Sequence, residues 1–449
     1  MNTLKQLIIA SIIFTPFGLL AQKGIQFVNP ADQRSVNLFE TAKVDTVAFD
    51  GLRVSIGGNF TQQFQSISHS NTASENLFPF GDRDVDLNKL YPLSPGFNLA
   101  TANLRLDVQL EDGIRIVLEN YMSSRHHPEF WVKGGYIQVD KLPMFGSPQW
   151  FTDYVTVRFG HFGINYGDQQ FRRSDNANTF HNPFVENYIM DAFATEIGGE
   201  ILVRPLKNVF IMAGMTNGLL DMDVRDHGDI RKNPSILGKI GYDSQISDDL
   251  RLRLSASAYH NAGTTRNTLY AGDRAGSRYY FVMEPEFFRN FRAGGAVTAS
   301  TTANRFASAR LSPDFTSNVT SFMINPFVKF RGFEFFGTYE MSQGRNASEF
   351  AADGENREFN QVAGEVIYRF LDREQLFVAG RYNRVSGRLA GYTNDISVER
   401  TQLAIGWYTT ENLLVKLEYV TQRYNDFVAT DFRNGGQFDG FMIEAAVAF

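Results

Sequence analysis

The stretch NLRLDVQL, Asn103 to Leu110, puts Leu104, Leu106, Val108 and Leu110 on one face of an extended strand. Asn103, Arg105, Asp107 and Gln109 take the other, because successive side chains of a strand point to opposite sides. The same division recurs in TEIGGEILVRP, where Ile197, Gly199, Ile201 and Val203 oppose Glu196, Gly198, Glu200 and Arg204. DLRLRLSASAY sets Leu250, Leu252 and Leu254 against Arg251, Arg253 and Ser255. RTQLAIGWY sets Leu403, Ile405 and Trp407 against Arg400, Gln402 and Tyr408. Each stretch has the length a tilted strand needs to cross the hydrocarbon core of a bilayer.

The connections carry a second signal. EDG, PLKN, ISDD, RGF, LDRE and TTEN read as tight turns, rich in Gly, Pro, Asn or Asp. Longer polar segments separate those hairpins: Ser68 to Gly96, Ile164 to Phe193, Asn217 to Asn233, Thr264 to Pro313 and Asn346 to Glu355. Short and long connections alternate, as they do in barrels of the bacterial outer membrane, with brief periplasmic turns and long external loops.

Composition is consistent with this reading. The chain has 43 basic and 49 acidic residues, which does not suit a nucleic-acid binder, and no cysteine, hence no disulfide framework. Aromatic residues make up 14%, with 41 Phe and 18 Tyr. No long uncharged apolar run follows the first residues, so a helical membrane protein is excluded while a barrel is not. At the start, Lys5 precedes LIIASIIFTPFGLLA, which closes on Ala21; this is expected to be a cleaved secretory signal peptide, residues 1–21. Residues 22–51 are expected to form a periplasmic extension or a plug, and residues 52–449 an all-β, transmembrane antiparallel barrel of about 16 strands.

FMIEAAVAF, Phe441 to Phe449, alternates apolar residues at Phe441, Ile443, Ala445, Val447 and Phe449. Paired with the first strand it closes the sheet and leaves no open edge. An alternating strand ending in Phe resembles the signal that barrel-assembly machinery recognises, which would rest on Phe441, Ile443, Val447 and Phe449.

A barrel of this size is too wide to be filled by its own wall, so water or an infolded loop must occupy it. An aqueous pore is the default expectation. Its lining in the inward register would be Arg105, Arg158, Arg251, Arg253, Lys329, Arg381, Arg400 and Lys416 against Glu196, Glu200, Glu365 and Glu418. The signs nearly balance, which gives weak ion preference; alternatively the charges merely pair across strands. Outside, Trp407, Tyr408, Tyr368, Phe370, Phe330, Phe333 and Phe335 lie close to the short turns and would form an aromatic girdle.

The segment VRFGHFGINYGDQQFRRSDNANTFHNPF, Val157 to Phe184, resembles the phosphate-selective porin family and the wider group of porin-like barrels of Bacteroidota. Val157, Gly160, Phe162, Tyr166 and Gly167 occupy the places of the family pattern V-x-x-G-x-F-K-x-P-F-G-x-E. Gly163 stands where the family has Lys, Asn165 where it has Pro and Gln169 where it has Glu, so the match supports the architecture better than the solute. The resemblance implies a trimer-forming pore with its third external loop folded inward. If Ile164 to Phe193 does so, Arg172 and Arg173 would face Asp168, Asp175, Glu186 or Asp191 across a constriction.

Other constellations are weaker. DMDVRDHGD, Asp221 to Asp229, lacks the spacing of a calcium loop, and His126 and His127 point apart with only Glu129 near. Ser257 and His260 would face opposite sides of one strand, which argues against a hydrolase. The expected function is passive diffusion of small hydrophilic solutes or ions, with no enzymatic activity, no cofactor and no metal. Its partners would be outer-membrane lipid, the assembly machinery and two further copies in a homotrimer. The alternative is a plugged barrel serving as an accessory subunit of a larger outer-membrane complex.

Overall fold

A computed structural model describes residues 24–44, 47–123, 130–218, 232–271, 276–290, 294–304 and 307–449. The signal-peptide stretch, the Asp221 to Asp229 cluster and His126, His127 and Glu129 lie outside the described residues. Sixteen antiparallel strands make the wall. They are β1 Arg53–Ser70, β2 Thr101–Glu111, β3 Ile114–Ser123, β4 Phe130–Val139, β5 Val155–Gly163, β6 Thr195–Leu206, β7 Val209–Thr216 and β8 Ser235–Gln245. There follow β9 Leu250–Asn261, β10 Asn318–Phe330, β11 Phe333–Arg345, β12 Arg357–Phe370, β13 Leu376–Gly387, β14 Ile396–Thr410, β15 Leu413–Asn425 and β16 Gln437–Ala448. Each pairs with its sequence neighbour, and β16 pairs with β1 from Asn59↔Ala448 to Ser70↔Gln437. The seam leaves neither of those two strands as a free edge along its length of pairing.

The period of two sets what faces out. On β14, Leu403, Ile405 and Trp407 are 53 to 55% exposed, whereas Gln402 and Ala404 are buried. An outer surface of this kind, wound continuously around a closed sheet whose backbone polar groups are internally paired, suits hydrocarbon. Tyr368, Phe370, Phe330, Phe333 and Trp407 are exposed on this surface near the short turns. Tyr408 is not part of that girdle: it faces inward, 3% exposed, against Phe180 and Phe377. The alternation that turns Trp407 outward requires this.

Short turns and long loops occupy opposite ends, with one exception. The connection from β4 to β5 lies at the short-turn end yet holds a short helix, Gln149–Tyr154, whose Phe151 is buried while Trp150 and Tyr154 are exposed. At the other end the β9–β10 connection is the longest, and it contains a small hairpin of Phe287–Asn290 with Ala296–Ala299.

The inside is packed rather than empty. Ile164, Val185, Ile189 and Met190 of the β5–β6 loop, with Leu269, Tyr279 and Val282 of the β9–β10 loop, form one apolar cluster with the inward residues Met323, Phe359, Val398, Val420 and Met442. A second cluster joins Phe180 and Phe184 to Ile367, Phe377 and Leu414.

Candidate functional site

The β5–β6 loop folds into the lumen because the wall supplies what its backbone lacks. A loop without a strand partner must find donors and acceptors elsewhere, or bear the cost of burying them unpaired. Glu418 accepts from Val185 N–H at 2.7 Å, Asn383 from Ile189 N–H at 2.7 Å and Gln361 from Met190 N–H at 3.1 Å. In the other sense Arg381 donates to the Glu186 carbonyl and Arg400 to that of Asn187, both at 2.8 Å. Lys416 caps three carbonyls, those of Thr179, Asn182 and Phe184, at 2.9 to 3.1 Å. The inward bend starts at Gly167, where φ is +71° and a Cβ would run into Met323.

The six residues expected at a constriction all lie in this loop, but they belong to separate pairings. Arg173 binds Asp191 at 2.6 Å and approaches Asp175 at 3.5 Å. Arg172 reaches Glu365 at 3.4 Å and Glu334 at 3.7 Å on the wall. Asp168 sits between Lys239 and Arg253, 2.7 Å from each. Glu186 accepts from Arg278 N–H at 2.6 Å and from the Ser277 hydroxyl. All six are buried, so Arg172 and Arg173 stand apart from Asp168 and Glu186 rather than across open water from them. Charges removed from water need partners of this kind.

The twelve wall residues read as lining do point inward. Most are occupied. Glu196 binds Tyr259 at 2.7 Å, Arg251 binds Asp243 at 2.7 Å, Lys329 binds Glu374 at 2.7 Å, and Glu365 binds Arg381 at 2.8 Å. Arg400, Lys416 and Glu418 hold the loop, and Arg253 holds Asp168. Beside the short turns Arg251 and Lys329 are 21 and 26% exposed; further along the wall three more keep contact with water, on β2, β5 and β6, where the side chains of Arg105, Arg158 and Glu200 are 38, 21 and 11% exposed. Arg105 chelates Asp107 through two bonds of 2.6 and 3.0 Å. Arg158 pairs with Glu200 at 2.7 Å and lies over the rings of Tyr136 and Phe162, at 5.0 and 4.5 Å. Lys133 and Glu119, 3.1 Å apart, extend the strip along β3 and β4. Away from the short turns, the accessible part of the lumen therefore follows β2 to β6.

The tail, described over residues 24–44 and 47–51, runs a full lap inside the short-turn end. Gln26 binds Gln109 and Gly113 near the β2–β3 turn, and Gln33 binds the Arg373 and Glu411 carbonyls on the far side. Returning, Asn37 donates to Glu334 at 2.5 Å, and Glu40 meets Lys239 at 2.9 Å and Arg253 at 2.7 Å. Lys43 donates to the Val155 and Asp140 carbonyls, and Gln26 closes the ring on the Val47 carbonyl at 3.0 Å. Glu40 and Asp168 thus share the same two cations, which ties tail, loop and wall together. Burial alone would raise the Glu40 carboxyl, but Lys239 and Arg253 hold it below its ordinary range. Asn37, Glu40 and Lys43 carry no periodic or motif signal in the sequence.

His181, at the bottom of the loop, meets Ser35 of the tail at 2.6 Å. The Ser35 hydroxyl donates to the Asp32 carbonyl, so the imidazole Nε2–H is the donor to Ser35. Burial, with Arg172 and Lys416 nearby and only Asp32 opposing them, pushes His181 down to about 4. The fold favours the neutral ring, so this stabilisation is complete above the unfolded value near 6.5 and is lost as pH falls from there through about 4. Because His181 keeps some contact with water, roughly 2 kcal/mol is expected rather than the full shift. The melting temperature of the detergent-solubilised protein should fall between pH 7 and 4, and His181→Gln should flatten that fall. An unchanged slope in the variant would clear His181 of the role.

Among the described residues no three His, Asp or Glu converge as metal ligands. Ser257 accepts from Gly167 N–H inside the barrel, while His260 is exposed on the outer face beside Thr320.

No protein family matches the sequence, and no curated protein matches it. Solved structures do resemble the fold. The anion-selective porin from Comamonas acidovorans is similar with a TM-score of 0.52 at 9% identity, over 89% of this chain and all of that one (100%). OprB of Pseudomonas putida, in its high-pH structure, is similar with a TM-score of 0.50 at 10% identity, over 88% of this chain and 94% of that one. At such identity the likeness establishes a porin-like barrel fold.

Proposed function

We propose that the chain is an outer-membrane porin through which small hydrophilic solutes or ions diffuse down their gradients, along the strip of β2 to β6 that the loop leaves uncovered. The observation that carries this reading is the asymmetry of the lumen. Arg105 points inward yet is 38% exposed, while Glu365 on β12 and Lys416 and Glu418 on β15 are fully buried. Away from the short turns, where Arg251 and Lys329 are 21 and 26% exposed, charged side chains reach water along β2 to β6. The long-loop end would face outward and the short-turn end, with its tail, the periplasm. The porins it resembles in fold support the class of activity. Phosphate as solute rests on the resemblance at Val157, Gly160, Phe162, Tyr166 and Gly167 alone.

Planar-bilayer recording of the purified protein tests the reading. Stable current steps are expected, small for a sixteen-strand barrel because the path is narrow. Arg105→Glu with Arg158→Glu should move the reversal potential in a salt gradient toward cations, and added phosphate or chloride will rank the anions. A silent protein with an intact fold would overturn the proposal. No chemical step is required of any side chain.

A further inference from the structure

We propose that a cleft at the long-loop end of the β1–β16 seam is a docking site for an extended peptide, which would add to the sheet as a short strand beside β1. The cleft, of about 710 Å³, is lined by Ser66 to Asn71 of β1 and its extension, by Leu90 to Leu93 and Pro95, and by Asp439 to Phe441. That volume lies in the range of ordinary ligand pockets.

Main-chain bonding makes the argument. Gly58 and Phe449 exchange both of their N–H···O bonds, so even-numbered residues of β1 bond to β16 and odd-numbered ones turn the other way. On that other side β2 stops at Thr101, paired with Thr61, after which Asn98 N–H bonds Gln63 and Gly96–Phe97 pairs with Gln65 and Phe64. In the continuing register Ser94 falls beside Ile67 and Pro92 beside His69. Neither pairs. The sequence YPLSP, Tyr91 to Pro95, explains this: Pro92 has no N–H to donate, and Pro95 restricts Ser94 before it. The N–H and C=O of Ile67 and His69 therefore face the cleft without a strand beside them.

The far wall of the cleft is held off at a fixed distance. His69 Nδ1 accepts from Met283 N–H at 2.9 Å, which leaves Nε2–H to donate to the Tyr91 carbonyl at 2.7 Å. Tyr91 N–H bonds the Glu284 carbonyl at 2.8 Å, and its ring stacks on Phe281 at 4.5 Å. The gap is thus built in.

The occupant follows from the chemistry. Alternating donors and acceptors along a strand edge are matched by another main chain, as in recognition by strand addition. An acyl chain offers neither. On the outer face Ser66, Ser68 and Ser70 are small, and beyond Ser68 stands Asp439, exposed and in no ion pair with any described residue. A lysine or arginine of the incoming strand can cross the serines to reach it. The preferred peptide is extended, free of proline, and carries one basic residue near its middle.

The test uses the full-length protein in detergent and a fluorescent seven-residue peptide of alternating threonine and valine with a central lysine. Saturable binding is expected, with the Ile67 and His69 amides protected from hydrogen exchange. N-methylation of the peptide amides that face β1 should abolish binding. Ile67→Pro, which removes a donor that β16 does not use, should abolish it as well. Asp439→Asn should weaken it about three-fold, the scale of one lost exposed ion pair. Absence of saturable binding, equal binding of the N-methylated peptide, or a co-purified lipid in the cleft that the peptide does not displace would each overturn the assignment.

Discussion

Asp168→Ala is expected to destabilise the protein by about 3 kcal/mol, because it strips a buried carboxylate from between two buried cations. Lys239 and Arg253 would keep Glu40, and Arg253 would keep Asp243 at 3.1 Å. With Arg251 already drawing on Asp243, the cluster would hold an excess of positive charge out of reach of water. Denaturant unfolding in detergent, compared with the native chain, measures the loss. Adding Lys239→Met should recover most of it, since the second change removes the surplus charge and fills the site with an apolar side chain of similar length. A single variant that costs less than about 1 kcal/mol would show that the cluster is better solvated than its burial indicates.

Removing residues 24–44 is expected to raise the single-channel conductance several-fold. The tail spans the short-turn end from Gln26 at Gln109 to Gln33 at Glu411, so it lies across the cross-section through which a solute on the proposed path would leave. Phe39 of the tail also packs on Phe171 of the loop, 5.7 Å between ring centres, so its loss should loosen the loop above. Glu40→Lys offers a gentler version: a third cation beside Lys239 and Arg253 should expel the segment without shortening the chain. Conductance that stays at the native level in both variants would mean that the strip along β2 to β6 bypasses the tail.

Much of the wall was legible in the sequence because its physics is local. Leu250, Leu252 and Leu254 alternate with Arg251 and Arg253 whether or not the rest of the chain is known, and ISDD marks the turn before them. The infolding of the β5–β6 connection is what the resemblance at Val157 to Phe184 implies; the residues themselves left an external cap equally open. What escaped is the state of the lumen. Arg381, Arg400 and Lys416 read as water-lining charges, but they spend their protons on carbonyls of residues 179–187, and main-chain acceptors leave no mark in a sequence. The pairing of Arg172 with the wall, not with Asp168, is non-local in the same sense. Glu40 was invisible for a further reason: its partners lie some 200 residues away, 213 in the case of Arg253. Trp407 and Tyr408 show the converse, a case where strict alternation already separates two aromatic neighbours.

The seam between β1 and β16 has a consequence in time. Gln63 donates to Glu444 across 381 residues of chain, so the cylinder cannot be finished while any of those residues is still being made. Contacts of such long sequence separation form slowly and leave apolar, unpaired strands open to aggregation meanwhile. The tail, delivered first, has its seats on turns as distant as Glu411 and must settle last. Order of synthesis and order of docking are therefore reversed at the two ends, and the apolar strands stay exposed until the seam forms.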